Sequence, residues 1–355
     1  MINILILTTD FNYCCGRSNH IYSLIKYYKR NNFNVHFIGN RGDAFERLHK
    51  AGIIYLQKKY FFSKPLIFKN LFFLKNYVKN NKIDIIHSHH RVPAIMVWLV
   101  KKIYRINVIN LQTEHSILKK KYFLNYHSDK IIAVNDVVKE NLKIKFGLND
   151  NLIVKIPNFI DIEEYNINNK NKANDKFTIL AAGRLVKEKN FELLIRAVSF
   201  LIEKNNVKLI IVGEGKEYKR LKELAEKLEI NFELPGVTKD ISTFLNIADL
   251  CVLPSKKESL STFMLEAGLF KKVFIGSDIK GINDIIENRE NGLLFKVNSS
   301  EDLKQKIDYV LKNRKQCVIY GHNLYKIVIE NYNLDTIGLE IIELCKKLIN
   351  DPKNQ

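Results

Sequence analysis

Residues 248–266 read ADLCVLPSKKESLSTFMLE. The apolar run Leu250–Leu253, bounded by Asp249 and Pro254, predicts a buried strand. A polar loop, Ser255–Ser259, follows. Ser261 or Thr262 then stands where a helix beginning Phe263-Met264-Leu265-Glu266 needs a cap. A strand feeding a helix through a short loop puts the helix N-terminus at the carboxyl end of a parallel sheet, where open α/β sheets bind ligands. Free N–H groups there favour phosphate. Glu258 in the loop and Glu266 on the helix flank the place. Ionised carboxylates only accept hydrogen bonds, so they suit hydroxyl-rich partners.

Working outward, the same alternation recurs on both sides. Phe177–Ala182 reads as a strand, 183–190 (GRLVKEKN) as a loop and 191–204 as a helix. Lys208–Val212 reads as a strand running into Gly213-Glu214-Gly215, followed by a charged helix over about 216–228. Short segments at Phe232–Leu234 and Lys272–Ile275 complete a parallel series, with a helix at 240–248 and a loop at Gly281. The polar, Asn-rich run 161–176 separates this series from an earlier one and reads as a linker.

The first series opens with a strand over 2–8, a loop Asp10–Ser18 holding Gly16, a helix from about Asn19 and a strand Asn34–Ile38. That order begins a doubly wound sheet. Gly16 either lets backbone approach a ligand or makes the turn. Strand Ile83–Ile86 runs into His87-Ser88-His89-His90, and strand Asn107–Leu111 ends in Thr113-Glu114-His115. Strand alternation lets His87 and His89 share one side. No nearby carboxylate completes a ligand set, so no metal is expected. Further strands are read at Lys130–Val134 and Ile153–Pro157. The fold class expected is α/β, with two doubly wound Rossmann-like domains facing a central cleft. Residues 1–165 form the first domain and 166–335 the second. Residues 336–355 form a terminal helix with Ile337, Ile341, Leu344 and Leu348 on one face.

At 355 residues and 46% hydrophobic content the chain is expected to fold and to exceed one core. The start, MINILILTTD, reads as a first strand with no basic n-region. Five Cys show no metal spacing or disulfide framework, so a cytoplasmic setting fits. The net charge of +19 is uneven: residues 1–170 hold 27 Lys+Arg against 12 Asp+Glu. An anionic partner for that half is expected. Residues 58–79, KKYFFSKPLIFKNLFFLKNYVK, interleave aromatic and basic residues. Ile67, Leu71, Leu74 and Val78 make a helix stripe against a core. Tyr60, Phe61, Phe62, Phe72 and Phe73, with LKKKYF at 118–123 as a second candidate, are read as touching a lipid headgroup layer. No nucleic-acid-binding motif is present.

Taken in order, these segments resemble family 4 glycosyltransferases of the GT-B fold. Ile156-Pro157-Asn158 is similar to the family's IPNG-type segment. Gly183-Arg184 with Lys189 resembles its GR…KG signature, Gly213-Glu214-Gly215 its GxG turn and Pro235-Gly236-Val237 its nucleotide-edge loop. Glu258 to Glu266 matches E-x7-E, and Asn291-Gly292-Leu293-Leu294 the NGLL element. The Gly16 loop, the His87–His90 cluster, Thr113-Glu114-His115 and Ala133-Val134-Asn135 fall in the family's order across the first half.

The resemblance implies retaining, metal-independent transfer of a sugar from a nucleotide sugar, with no cofactor. Arg184 and Lys189 would hold the diphosphate, as would backbone N–H groups near Ser261, Thr262 and Phe263. Glu266 would bind the ribose and Glu258 the sugar, while Gly213, Gly215 and Val237 would border the nucleotide. His89 would stand near the reacting centre, with His115 and Gly16 on the acceptor side. His87, His89 and His90 are not separated by sequence. The implied partners are a nucleotide-sugar donor (UDP favoured), a glycan or lipid-linked acceptor and an anionic membrane surface met by the basic first domain. The implied setting is surface-polysaccharide assembly on the inner face of the cell membrane. The terminal helix would cross back to the first domain.

Cys15 before Gly16, Ser259-Leu260-Ser261 after Glu258, and Lys280 and Asp284 in the loop KGIND depart from the family pattern and leave the sugar open. The alternatives are a UDP-sugar epimerase or phosphorylase of similar fold, and a non-catalytic nucleotide-sugar-binding subunit.

Overall fold

The computed structural model describes all residues except Cys14, Lys119, Lys120, Tyr122, Phe123, Asn125, 169–175, 202–205 and 353–355. Most of the 118–123 segment and of the linker centre therefore lies outside the described residues. The chain divides into two compact units, Met1–Asn158 with Leu334–Gln355, and Phe159–Asn333.

The first unit runs β1 (Ile2–Asp10), α1 (Gly16–Arg30), β2 (Phe33–Arg41), α2 (Phe45–Lys50), β3 (Ile54–Gln57), α3 (Ile67–Asn80) and β4 (Ile85–Ser88). It continues α4 (Arg91–Tyr104), β5 (Ile109–Glu114), β6 (Lys130–Ala133), α5 (Asp136–Glu140) and β7 (Ile153–Lys155). The seven strands lie in the order β3-β2-β1-β4-β5-β6-β7, every neighbour parallel. Ile4–Leu7 of β1 are fully buried because helices cover both faces, which is why β1 shows no polar alternation. The strand order reverses between β1 and β4, so the crevice at their carboxyl ends is the site end of this unit.

The second unit repeats the plan. It runs β8 (Phe177–Ala182), α6 (Phe191–Ser199), β9 (Val207–Val212), α7 (Tyr218–Lys227), β10 (Phe232–Gly236), α8 (Ser242–Ile247) and β11 (Leu250–Leu253). Then come α9 (Thr262–Leu269), β12 (Val273–Ser277), β13 (Leu293–Phe295), α10 (Ser300–Lys312) and α11 (Arg314–Asn331). The order is β10-β9-β8-β11-β12-β13, again all parallel, with the switch between β8 and β11. On α9 only Thr262 and Glu266 are not buried. Its Gly268 lies against α11, where an added Cβ would come within 2.7 Å of Val328.

The last helix, α12 (Leu334–Asn350), belongs to the first unit. Ile337, Ile341 and Leu348 are buried as the spacing requires. Cys345 takes the inward position read for Leu344, which stays half-buried. The helix packs on α1: a Cβ at Gly338 would stand 2.6 Å from the Tyr27 ring, and Tyr27 donates to the Asp335 carbonyl at 3.0 Å.

Three expectations change. The chain passes between units at Asn158/Phe159, not at 165/166. Residues 160–168 are bound into the second unit by Ile160 N–H to the Tyr332 carbonyl (2.8 Å), Asn166 N–H to Ser242 (3.2 Å) and Asn168 N–H to Asn246 (3.1 Å). Polar composition marks solvent exposure there, not freedom. The first helix begins at Gly16, so this glycine opens α1 and does not sit within the loop. Of the aromatics assigned to a headgroup layer, Phe61 is fully buried, and Phe62 and Phe73 pack against the core. Phe68, which was not singled out, is 77% exposed.

Candidate active site

In the second unit two loops meet at the carboxyl ends of β8 and β9. Leu185 N–H donates to the Glu214 carbonyl at 2.7 Å, and Glu217 N–H to the Leu185 carbonyl at 3.0 Å. This approach is so close that a Cβ on Gly213 would lie 1.9 Å from the Gly183 carbonyl oxygen, at a φ of 151° that side chains rarely adopt. Gly213 and Gly215 thus act by letting the two loops touch. Arg184 projects from this junction, exposed, and its guanidinium has no hydrogen bond or ion pair among the described residues.

Lys189 ends a short 3-10 turn whose next residue, Asn190, takes the left-handed conformation at φ 56°. From there its ammonium reaches the Glu258 carboxylate. Both side chains are nearly buried, and Ser255 donates to the same oxygen, Glu258 Oε1, at 2.8 Å. Lys256 N–H donates to the Glu188 carbonyl at 2.8 Å and ties the two loops together. Glu258 is therefore held at one oxygen, and its Oε2 remains for another donor. Below it, the Gly281 loop packs so closely that a Cβ there would lie 2.3 Å from the Ser259 carbonyl. Lys280 turns outward to Asp284 at 3.3 Å, and Asp284 accepts the Gly281 N–H at 2.9 Å. The unusual residues of that loop thus bond to one another.

Ser261 occupies the cap position of α9, but its side chain makes no cap hydrogen bond. The expectation of a capping hydroxyl is corrected: the first-turn N–H groups are left to another acceptor, the usual arrangement for an anion. One turn along, Glu266 accepts a bond from the Tyr165 hydroxyl at 3.0 Å. Desolvation on the apolar helix outweighs the Tyr165 bond, which favours the charged form, and leaves its carboxyl raised to about 7. Val237 is 46% exposed beyond the β10 end. The side chain of Asn291, of the NGLL element, bonds within its own turn, to Glu287 N–H at 2.8 Å and the Ile285 carbonyl at 2.9 Å.

In the first unit five imidazoles gather at the switch point. His87 is locked at both nitrogens, by Tyr28 (3.1 Å) and Thr113 (2.8 Å). His90 takes Thr9 at 2.9 Å beside the Arg17–Asp10 ion pair. His89 Nδ1 lies 3.2 Å from His115 Nε2, and His115 Nδ1 lies 3.2 Å from Asn158 Oδ1. As the amide is oriented, its oxygen accepts from His115 Nδ1–H. His115 Nε2 then accepts from His89 Nδ1–H, which leaves His89 Nε2 as a lone pair. That nitrogen is buried and has no hydrogen-bond partner among the described residues. His20 of α1 stands edge-on to His115 and His89, at 4.9 and 5.9 Å between ring centres.

Burial keeps every one of these rings neutral. His20 and His87 fall to about 3 and His90 to about 4; His89 and His115 lie well below the ordinary value. Neighbouring imidazoles add to this for His87, His89 and His115, as does the Arg17 guanidinium for His90 and His115. For metal binding, the nitrogens that come within 4.8 Å of one another are those of His20, His89 and His115, a set without carboxylate or thiolate. His87, which strand alternation paired with His89, has no nitrogen to spare.

Residues 16–164 match the family model described as Glycosyltransferase Family 4, and residues 163–327 match that of Glycosyl transferases group 1. The chain belongs to the family 4 glycosyltransferases. A curated relative of this glycosyltransferase is the capsular polysaccharide biosynthesis glycosyltransferase CapM of Staphylococcus aureus, 22% identical over 93% of this chain and 94% of its own. A solved glycosyltransferase of Rickettsia africae covers 99% of both chains with a TM-score of 0.87 and 22% identity. Anabaena HepE, solved in complex with UDP and glucose, covers 98% of this chain and 100% of its own, with a TM-score of 0.83 and 19% identity. These structures share the GT-B fold with this glycosyltransferase: each of its two units is a doubly wound parallel sheet.

Sequence reasoning missed His20, Ser255 and Tyr165. His20 looked like one more helix residue, though it lies four positions after Gly16 on the first helical turns. Ser255 sits three residues before Glu258, a spacing that permits the bond without announcing it. Tyr165 lay in a run read as linker, 101 residues from the carboxylate it touches.

Proposed function

We propose that this glycosyltransferase moves a sugar, with retention and without a metal, from a nucleotide sugar to a glycolipid or polysaccharide-precursor acceptor. The donor is read as a UDP-sugar, and the work is placed at the inner face of the cell membrane in surface-polysaccharide assembly. The observation that carries the reading is the second unit's ligand end. Exposed Arg184, the Lys189–Glu258–Ser255 cluster, the uncapped α9 N-terminus and Glu266 all belong to loops or helix starts at the carboxyl ends of its strands. The HepE complex with UDP and CapM's role in capsular polysaccharide support the nucleotide and the pathway class.

The chemistry follows from charge. As the glycosidic bond breaks, negative charge grows on the departing diphosphate. Arg184, Lys189 and the α9 N–H groups stabilise that charge, so they act mainly on the transition state. Lys189 reaches the diphosphate while holding Glu258, whose second oxygen accepts from a sugar hydroxyl. Glu266 accepts from the ribose hydroxyls, with Gly213, Gly215 and Val237 bordering the nucleotide. On the acceptor side, beside the α1 start at Gly16, neutral His89 offers its Nε2 lone pair to a hydroxyl, and His115 holds its ring. The acceptor oxygen bonds to the anomeric carbon on the face the diphosphate leaves, and the departing phosphate oxygen takes its proton.

No observation favours a non-catalytic subunit. The residues that keep it open are Ser259-Leu260-Ser261 and Lys280; Lys280 bonds to Asp284 at 3.3 Å, and Gly281 packs against the Ser259 carbonyl. The test incubates the enzyme with UDP-, GDP- and ADP-sugars and bacterial membrane lipid as acceptor. An α-linked product from an α-linked donor, formed in EDTA and abolished by Glu258→Ala, is expected. An inverted product, a metal requirement or turnover surviving Glu258→Ala contradicts the reading.

A further inference from the structure

Three imidazoles of the first unit are arranged to hold a cation. His20 on α1, His89 after β4 and His115 after β5 each bring a ring nitrogen within 4.8 Å of the other two. His20 and His89 are buried and His115 is half-buried, so the cluster is reached from the carboxyl end of the sheet. His89 Nδ1 and His115 Nε2 stand 3.2 Å apart. Two nitrogens held tetrahedrally by one zinc ion at about 2.0–2.1 Å lie about 3.3–3.4 Å from each other, so this pair already has the bite of a metal. Asn158 Oδ1 accepts from His115 Nδ1–H at 3.2 Å, which leaves Nε2 as a lone pair facing His89. A ring held in this way by its far nitrogen is the usual orientation of a histidine ligand. His87 and His90 are taken up by Tyr28, Thr113 and Thr9. The Arg17 guanidinium, which would oppose a cation, is paired with Asp10 at 2.7 Å.

We propose that His20, His89 and His115 form an inhibitory site for zinc or a chemically similar late transition-metal ion. Three nitrogen donors suit zinc, whereas Mg²⁺ and Ca²⁺ take oxygen ligands and do not compete. Three ligands leave a fourth position for water. The ion takes the place of the hydrogen shared by His89 Nδ1 and His115 Nε2, and His20 closes on it from α1. The displaced proton moves to His89 Nε2, so the ring stays neutral and no proton leaves the protein. His89 Nε2 then carries hydrogen and donates where before it accepted. Zinc therefore removes the lone pair that an acceptor hydroxyl would meet. That inhibition rests on the proposed role of His89; the binding of the ion does not.

The test is equilibrium dialysis of the full chain against Zn²⁺, with Co²⁺ absorption as a second reading, both free of donor and acceptor. One ion per chain is expected, with the intense visible bands of four-coordinate cobalt and no sulfur-to-cobalt band. His20→Phe and His115→Phe each remove a ligand, and Asn158→Ala removes the group that orients one. Each variant, checked for folding by circular dichroism, is expected to bind zinc at least about tenfold more weakly. Cys14→Ser/Cys15→Ser, the thiol control, is expected to bind it like the unaltered chain. The proposal is overturned by no binding, by binding that survives the histidine variants or is lost in the cysteine variant, or by equal binding of Mg²⁺. In transfer assays saturating Zn²⁺ is expected to lower turnover at least about fivefold, and EDTA to restore it. Zinc that binds as stated without slowing transfer overturns the inhibition and the role given to His89 Nε2. Failure to transfer sugar in EDTA counts against the glycosyl-transfer reading alone, because dialysis scores the ion separately.

Discussion

At the scale of single residues, the proposed donor site turns on two carboxylates held by neighbours of opposite character. Glu258 is gripped by a cation and a hydroxyl, whereas Glu266 sits on an apolar helix with only Tyr165 to favour its charge. In the proposed reading the charged form of Glu266 accepts from ribose hydroxyls, so nucleotide affinity should rise with pH through about 7. Tyr165→Phe removes the bond that pulls the carboxyl down, so the midpoint should move to higher pH; calorimetry across the neutral range reads it. A midpoint unmoved by that variant contradicts the coupling. Ser255→Ala frees one of two bonds on Glu258 Oε1 and should cost about 1 kcal/mol, a roughly fivefold fall in kcat. Asn158→Ala should act through His115 on His89, lowering kcat with little change in donor KM. Glu258, Glu266, Arg184, Lys189 and His89 could be named as candidates in the sequence because the resemblance puts each at a fixed offset from a strand end. Tyr165 could not, and Asn158 was named without its contact to His115, because what they touch is set by folding across long separations.

At the scale of elements, the run 250–269 was readable because a fully buried strand and a buried helix leave only their polar junction exposed. β8 was read at its true bounds, and the stripe Leu71, Leu74 and Val78 named the inner face of α3. The outer face was read less well. Aromatic content alone does not separate Phe61, packed in the core, from Phe68, in solvent; the helical phase after Pro65 sets Phe68 apart from the Leu71 stripe but does not reach Phe61. β3, four residues and largely exposed, and β13, three residues, offer too little periodicity to be found. Glycine placement makes a sharper statement. Gly213→Ala puts a methyl 1.9 Å from the Gly183 carbonyl at a positive φ, so the two loops must part. A loss of at least about 1–3 kcal/mol in denaturant unfolding is expected, together with weaker nucleotide binding, since Arg184 rides on the same junction.

At the scale of the whole molecule, charge and titration distinguish the two units. The first unit keeps His20, His87, His89, His90 and His115 neutral by burial, with folded values below the unfolded 6.5. The unfolded chain then binds more protons, so stability is full above about pH 6.5 and falls as pH drops toward the folded values. Each ring contributes up to about 1.4 kcal/mol per pH unit in that window. A melting temperature that drops from pH 7.5 to pH 5.5, with α1 and β4 amides losing hydrogen-exchange protection before those of β8 and α9, would bear this out; uniform loss across both units would contradict it. The fold class was legible because both halves repeat strand, loop and helix; the return of α12 to the first unit followed from the family resemblance and not from its pattern, since one apolar face fits either unit. The central claim is that the second unit holds a nucleotide sugar through fixed cations and no metal. Calorimetric binding of UDP, GDP and ADP in EDTA, repeated with Arg184→Ala, tests it most directly. The account predicts that UDP binds more tightly than the other two and that Arg184→Ala abolishes that binding. Failure of all three nucleotides to bind, or binding that survives Arg184→Ala unchanged, would contradict it.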